Sequence, residues 1–153
     1  MKKLFFVCLC LLSCCSAYAE SIVYEIEDTQ KNIELIEDKI FTKIGLMIED
    51  NAVGCGNSNY SALNSTVLNL GKIYIDLTAL NREHDLLSLI TNEENISSAI
   101  SIVNTHKKYI YKVATMSNEI IVKRLQEITD NETTQLLLEA RDIFNRTIKL
   151  TQE

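Results

Sequence analysis

The chain has no proline and no tryptophan, and only four glycines in 153 residues. Proline breaks helices and glycine weakens them, so this scarcity favours long uninterrupted helices. Carbohydrate clefts and haem pockets lean on aromatic walls, and the low aromatic content disfavours both. Cysteine is scarce where a fold would need it. Cys8, Cys10, Cys14 and Cys15 crowd the N-terminus, and Cys55 stands alone in the remainder. With the N-terminal segment removed, no intramolecular disulfide framework is left, and the fold must stand on packing. No apolar run after residue 19 is long enough to cross a bilayer, so no transmembrane helix is expected in the mature chain.

Residues 1–19 read as a cleavable export signal. Lys2 and Lys3 form a charged start, Leu4 to Leu12 an apolar stretch too short to span a membrane, and Ala17-Tyr18-Ala19 a small-residue cleavage site before Glu20. A second reading uses the same segment: Leu11-Leu12-Ser13-Cys14 resembles a bacterial lipobox, in which Cys14 is lipidated and becomes the N-terminus. Plain cleavage is the favoured reading, giving a periplasmic or secreted protein; lipidation gives an outer-membrane lipoprotein. The segment carries two lysines and no acid. Its removal leaves 134 residues with 13 basic and 21 acidic side chains, a charge of −8. That balance argues against nucleic acid, whose phosphates demand a basic surface, and against an anionic membrane.

The remainder, residues 20–153, reads as one all-helical domain: four amphipathic helices forming a four-helix bundle or paired long hairpins. The first helix is expected over about Ser21 to Asp50, with Ile22, Ile26, Thr29, Ile33, Ile36, Ile40, Ile44 and Met47 at spacings of three and four. Residues 51–62, rich in glycine, asparagine and serine, read as the one long loop. The second helix is expected from about Asn64 to Ile90, capped by Asn64 or Ser65, with a seam of Leu63, Thr66, Leu70, Ile73, Leu77, Leu80, His84 and Leu87. Thr91 to Glu94 and Thr129 to Glu132 each match a capping box. They open a third helix to about Ile128, on Ile96, Ala99, Ile100, Val103, His106, Ile110, Val113, Ile120, Ile121 and Leu125, and a fourth to about Leu150, on Leu136, Leu137, Ala140, Ile143, Phe144, Thr147 and Ile148. Short links make these neighbours antiparallel.

Few residues suggest chemistry. His84 and His106, the two histidines, fall on apolar faces of neighbouring helices, and Met47 is a third candidate for a shared metal or haem site. No Cys-x-x-Cys-His or Glu-x-x-His pattern accompanies them, so the favoured reading is structural. The acids Glu25, Glu27, Asp28, Glu34, Glu37 and Asp38 lack the glycine-centred loop of a calcium site and read as a solvated face. Cys55, between Gly54 and Gly56, reads as an inert thiol or as the site of an intermolecular disulfide that would make a homodimer; a catalytic thiol is the least favoured reading, since no motif ties a histidine base to this loop. Asn-x-Ser/Thr triplets at Asn59, Asn64, Asn95, Asn131 and Asn145 fall mostly where helix caps are expected. No G-x-S-x-G, H-E-x-x-H or phosphate-cradling loop occurs.

These features predict a non-enzymatic, cofactor-free exported protein that binds protein partners in the cell envelope. The first expectation is an accessory factor in assembling a bacterial pilus, secretion or conjugation system. An immunity or inhibitor protein acting on a toxin or enzyme is the alternative, followed by a haem- or metal-carrying bundle.

Overall fold

The computed structural model describes the backbone of residues 2–53 and 56–152, and the side chains of 21–53, 56–92 and 95–152. Four helices account for nearly all of it: α1 (Lys2–Glu49), α2 (Ser58–Leu89), α3 (Glu93–Arg124) and α4 (Asn131–Gln152). No strand occurs among the described residues. The backbone of residues 2–20 is helical and continuous with the rest of α1, so α1 extends well N-terminal of Ser21.

The helix ends follow local chemistry, and several of them differ from expectation. α1 stops in a Schellman arrangement: Asn51 takes a left-handed φ of 53°, Ala52 N–H donates to the Met47 carbonyl at 2.8 Å, and Asn51 N–H to that of Ile48 at 3.1 Å. α2 begins at Ser58, ahead of the predicted Asn64, because Asn57 is its cap and accepts from Tyr60 N–H at 3.1 Å. Asn57 also donates through Nδ2 to the Ala52 carbonyl at 2.7 Å, which closes the α1–α2 connection. The predicted loop over 51–62 is therefore shortened at its C-terminal side. Ala62 and Leu63 are fully buried, and their packing holds the extra helical turn. α3 ends at Arg124, ahead of Ile128, and passes into a turn in which Glu127 N–H donates to the Arg124 carbonyl at 2.9 Å.

The caps of α3 and α4 sit one residue later than the predicted threonines. Ile96 N–H donates to the Asn92 carbonyl and Thr134 N–H to that of Asp130, each at 2.9 Å. The Asp130 carboxylate accepts from Thr133 N–H at 2.7 Å and from Thr133 Oγ1 at 2.6 Å.

Each helix packs antiparallel on its chain neighbour, α1 also packs on α4, and α2 and α4 touch across the diagonal. This is an up-down-up-down bundle. Cross-helix contacts fix its register. Gln30 donates to Thr78 Oγ1 at 2.7 Å between α1 and α2. Lys39 pairs with Glu139 at 2.8 Å, Lys43 with Glu132 at 2.6 Å and Asp28 with Arg146 at 2.6 Å between α1 and α4. Those surface pairs set alignment more than stability.

The core is the set of stripes facing the bundle axis. The α1 seam is buried from Ile22 to Met47 apart from the half-buried Ile44, and the α2 seam from Leu63 to Leu80. Each fully buried leucine or isoleucine contributes roughly 1.5–3 kcal/mol of transfer free energy. In α4, Leu136, Leu137, Ala140, Ile143, Phe144 and Thr147 are buried as predicted, joined by Thr133, Leu150 and Thr151.

α3 corrects the broad apolar face read from its sequence. Ile100 and Ile120 are exposed. The buried row is Val103, Lys107, Ile110, Ala114, Ser117 and Ile121, a strict alternation of four and three. Ala114 and Ser117 are small enough to let α4 approach closely, and Ser117 satisfies its hydroxyl on the Val113 carbonyl at 2.8 Å.

Candidate functional site

Two features of the α2–α3 pair stand apart from the rest of the bundle: a polar layer near the turn that joins the helices, and an apolar band on their outer face. The polar layer begins where the α2 seam passes Leu80. Asn81 and His84 occupy the next core-facing positions, and Asp76 faces α3. Asn81 Oδ1, His84 Nε2 and Asp76 Oδ2 are all buried without a hydrogen-bond partner among the described residues.

Burial holds the His84 imidazole below its ordinary value, and Lys107 across the interface reinforces this against the opposing charges of Glu83 and Asp85. Burial likewise pushes the Asp76 carboxyl up, opposed by His106 and Lys72. His106 is better provided for, with Nδ1 3.1 Å from Glu83 Oε2. Lys107 lies in the core row, only 8 % exposed.

This layer does not assemble the ligand set considered from the sequence. No group of three or more His, Cys, Asp or Glu side chains placed to hold a metal occurs among the described residues. Met47 belongs to the opposite end of the bundle. His84 lies six residues above Thr78 and Met47 seventeen below its partner Gln30, which at 1.5 Å per residue separates them by roughly 35 Å. The α1 acids are dispersed as well. Asp28 pairs with Arg146, Glu34 accepts from the Tyr74 hydroxyl at 2.8 Å, and the Glu37 carboxyl lies beside Gly71 of α2. Burial, then Asp38 and Glu34, raise the pKa of Glu37.

Of the asparagine triplets, Asn145 accepts from Asn118 at 3.0 Å between α3 and α4, and Asn131 opens α4. Asn59 lies in the first turn of α2, facing a polar cleft of about 460 Å³ that Glu127 and Thr129 close from the far side. Cys55, the candidate for an intermolecular disulfide, lies outside the described residues, as does the Cys14 side chain, the candidate for lipidation.

The outer face was not anticipated. Leu68, Ile75 and Arg82 recur at seven-residue intervals on α2, and Ile102, Tyr109 and Met116 at the same interval on α3. All six are exposed; Leu68, Ile75 and Ile102 are between 61 and 68 % accessible. Lys72 Nζ lies 5.2 Å from the Tyr109 ring centroid, and Glu83 meets His106. Those two contacts bracket a register that sets Leu68 level with Met116, Ile75 with Tyr109 and Arg82 with Ile102. Leu86 continues the α2 side. Beside Tyr109, a shallow hollow of about 480 Å³ is lined by Ile102, Thr105 and His106. The signal for this face was present in the sequence as the two heptad rows, hidden because they are not the rows that build the core.

A third concavity, of about 370 Å³, lies between α1 and α4 over Leu35, Ile36 and Ile143, with Lys39, Glu139 and Arg146 around it. Lys39 pairs with Glu139 and Arg146 with Asp28, while Asp142, which also lines it, has no ion pair among the described residues. No protein family, curated protein or solved structure matches the chain.

Proposed function

We propose that this protein is an exported, non-enzymatic helical adaptor of the bacterial cell envelope, acting as an accessory factor in the assembly of a pilus, secretion or conjugation apparatus. The observation that carries the reading is the ordered apolar band of Leu68, Ile75, Ile102, Tyr109 and Met116 on the outside of α2 and α3. Scattered single hydrophobic residues on a surface are ordinary, whereas exposed apolar residues that repeat every seven residues on two packed helices favour a contact surface. Export rests on residues 1–19, whose lysines, short apolar stretch and Ala17-Tyr18-Ala19 match a secretory signal.

The test replaces Ile75 by a photo-crosslinking amino acid in the source cell. Cross-linked adducts in the envelope fraction, on a chain whose intact mass begins at Glu20 or carries a lipid on Cys14, are the expected result. A full-length chain in the cytoplasm, or no adduct from this position, would overturn the proposal.

A further inference from the structure

The α3–α4 groove holds a buried cation that has no counter-ion. Lys107 stands in the core row of α3 between Val103 and Ile110 and is only 8 % exposed. Lysine is almost never buried unless a carboxylate accompanies it, because the ammonium gives up its hydration. No carboxylate pairs with Lys107 among the described residues. Asn118 of α3 meets Asn145 of α4, so seven residues further along each antiparallel helix Tyr111 stands level with Gln152. There a cleft of about 310 Å³ opens, lined by Asn104, Lys107, Lys108, Tyr111, Thr151 and Gln152. A lysine with a buried stem sends its ammonium to the nearest water, and this cleft is the opening that Lys107 lines.

We infer that the cleft binds a small organic anion, with its phosphate or carboxylate group between Lys107 and Lys108 and its carbon body against Tyr111. The site is separate from the apolar band on α2 and α3 and does not depend on the adaptor reading. Charge supports it. The protein is acidic, with 21 Asp and Glu against 15 Lys and Arg. Yet residues 95–118 of α3 contain no acid and include Lys107, Lys108 and Lys112, and residues 143–152 of α4 contain none and include Arg146 and Lys149. Of the acids on the flanking helices, Glu83 is engaged by His106 and Asp28 by Arg146. A groove kept free of carboxylates on an acidic protein is a local positive field that draws anions.

The walls fit the rest of such a ligand. The side chains of Asn104, Tyr111 and Gln152 have donors with no hydrogen-bond partner among the described residues, whereas Thr151 commits its hydroxyl to the Thr147 carbonyl at 2.8 Å. The Tyr111 ring and the lysine stems supply apolar surface beside the charges. Sites for small molecules begin at about 300 Å³, so the cleft suits one ring with one acid group.

The probes are phenyl phosphate, phenylacetate and inorganic phosphate, titrated into the full-length chain labelled with nitrogen-15. Phenyl phosphate or phenylacetate should shift the amide signals of residues 104–111 and 151–152 and saturate, and the tighter of the two names the acid group. Inorganic phosphate should bind at least about fivefold more weakly, because it lacks the apolar body. Lys107→Met should weaken the tighter probe on the order of tenfold or more, and Lys108→Gln should weaken it in the same direction. Thermal unfolding by circular dichroism supplies the second measurement. Without any probe, Lys107→Met should unfold at a higher temperature than the parent, since it removes an unpaired cation from the core row.

No saturable shift with either organic probe would overturn the inference, and so would equal binding by the parent and Lys107→Met, which marks a general salt effect. Inorganic phosphate binding as tightly as phenyl phosphate would overturn the organic ligand. A Lys107→Met chain that unfolds at a lower temperature would mean that a carboxylate of the chain itself, such as that of Glu153, already serves Lys107, and would overturn the site.

Discussion

The lower two-thirds of the bundle and its upper end are built on the same heptad rows but to different standards. Below Leu80 the α2 seam is apolar but for Thr66: Leu63, Leu70, Ile73 and Leu77 are fully buried in one core cluster with Ile33, Ile36, Ile40, Leu137 and Phe144. Above it the row passes to His84, with Asn81 beside it and Lys107 opposite, and two buried polar atoms, Asn81 Oδ1 and His84 Nε2, go without partners among the described residues. A continuous heptad repeat is thus no guarantee of a continuous core. The polar layer lowers the packing contribution of α2 at the α2–α3 tip, although Ile22, Ile26, Val103 and Leu150 remain buried at that end. Such a tip is the part expected to open first.

The largest expected effect that would sharpen this contrast is in the apolar region. Phe144→Ala should cost about 3–5 kcal/mol by chemical denaturation, while Leu86→Ala at the exposed tip should stay within about 0.5 kcal/mol. Equal costs would mean that the two ends do not differ.

Next comes Asp130, which caps α4 and lies 3.3 Å from Lys43. Asp130→Ala should lose about 1–2 kcal/mol at neutral pH. Hydrogen bonds from Thr133, with Lys43 nearby, hold this carboxyl below its usual range. Its contribution is therefore present above the ordinary carboxylate pKa and disappears as pH falls through the lowered one. Parent and variant should converge in acid; a difference that persists at pH 2 would contradict the assignment.

His84→Leu replaces an unpartnered imidazole on the seam and should stabilise by about 1 kcal/mol. The imidazole pKa lies below the ordinary value of about 6.5 in the folded chain, so the unfolded chain binds more protons in that window. The parent should therefore lose stability as pH drops from about 7.5 to below 6, and the variant should lose less. A variant with an unchanged pH slope would show that the upper end is not strained by this group.

The smallest effect is at Gly45 in α1, where an added Cβ meets nothing within 4 Å. Gly45→Ala should stabilise by about 0.5–1 kcal/mol through helix propensity alone. A loss in thermal unfolding would point to a contact in the opposite sense.

The rows of α1 and α4 were legible in the sequence because apolar side chains there coincide with the buried stripe. The α3 row was harder. Lys107, Ala114 and Ser117 are buried although none is strongly apolar, while Ile100, Ile102 and Ile120 are exposed although all are. Hydrophobicity names a face only when the neighbouring helix needs that face filled, and close approach of α4 rewards small side chains instead. The α2 start was misplaced for a related reason. Asn57 and Asn64 are equally good caps in isolation, and burial of Ala62 and Leu63 selects the earlier one.

By itself the sequence determined that the chain is helical, how many helices it has and where the α1, α2 and α4 seams run, because 3.6-residue periodicity and the lack of proline act locally. Only the tertiary structure decided which heptad rows are core and which are surface. That choice depends on what packs opposite, and it left Leu68, Ile75, Ile102, Tyr109 and Met116 outside, in register and uncovered.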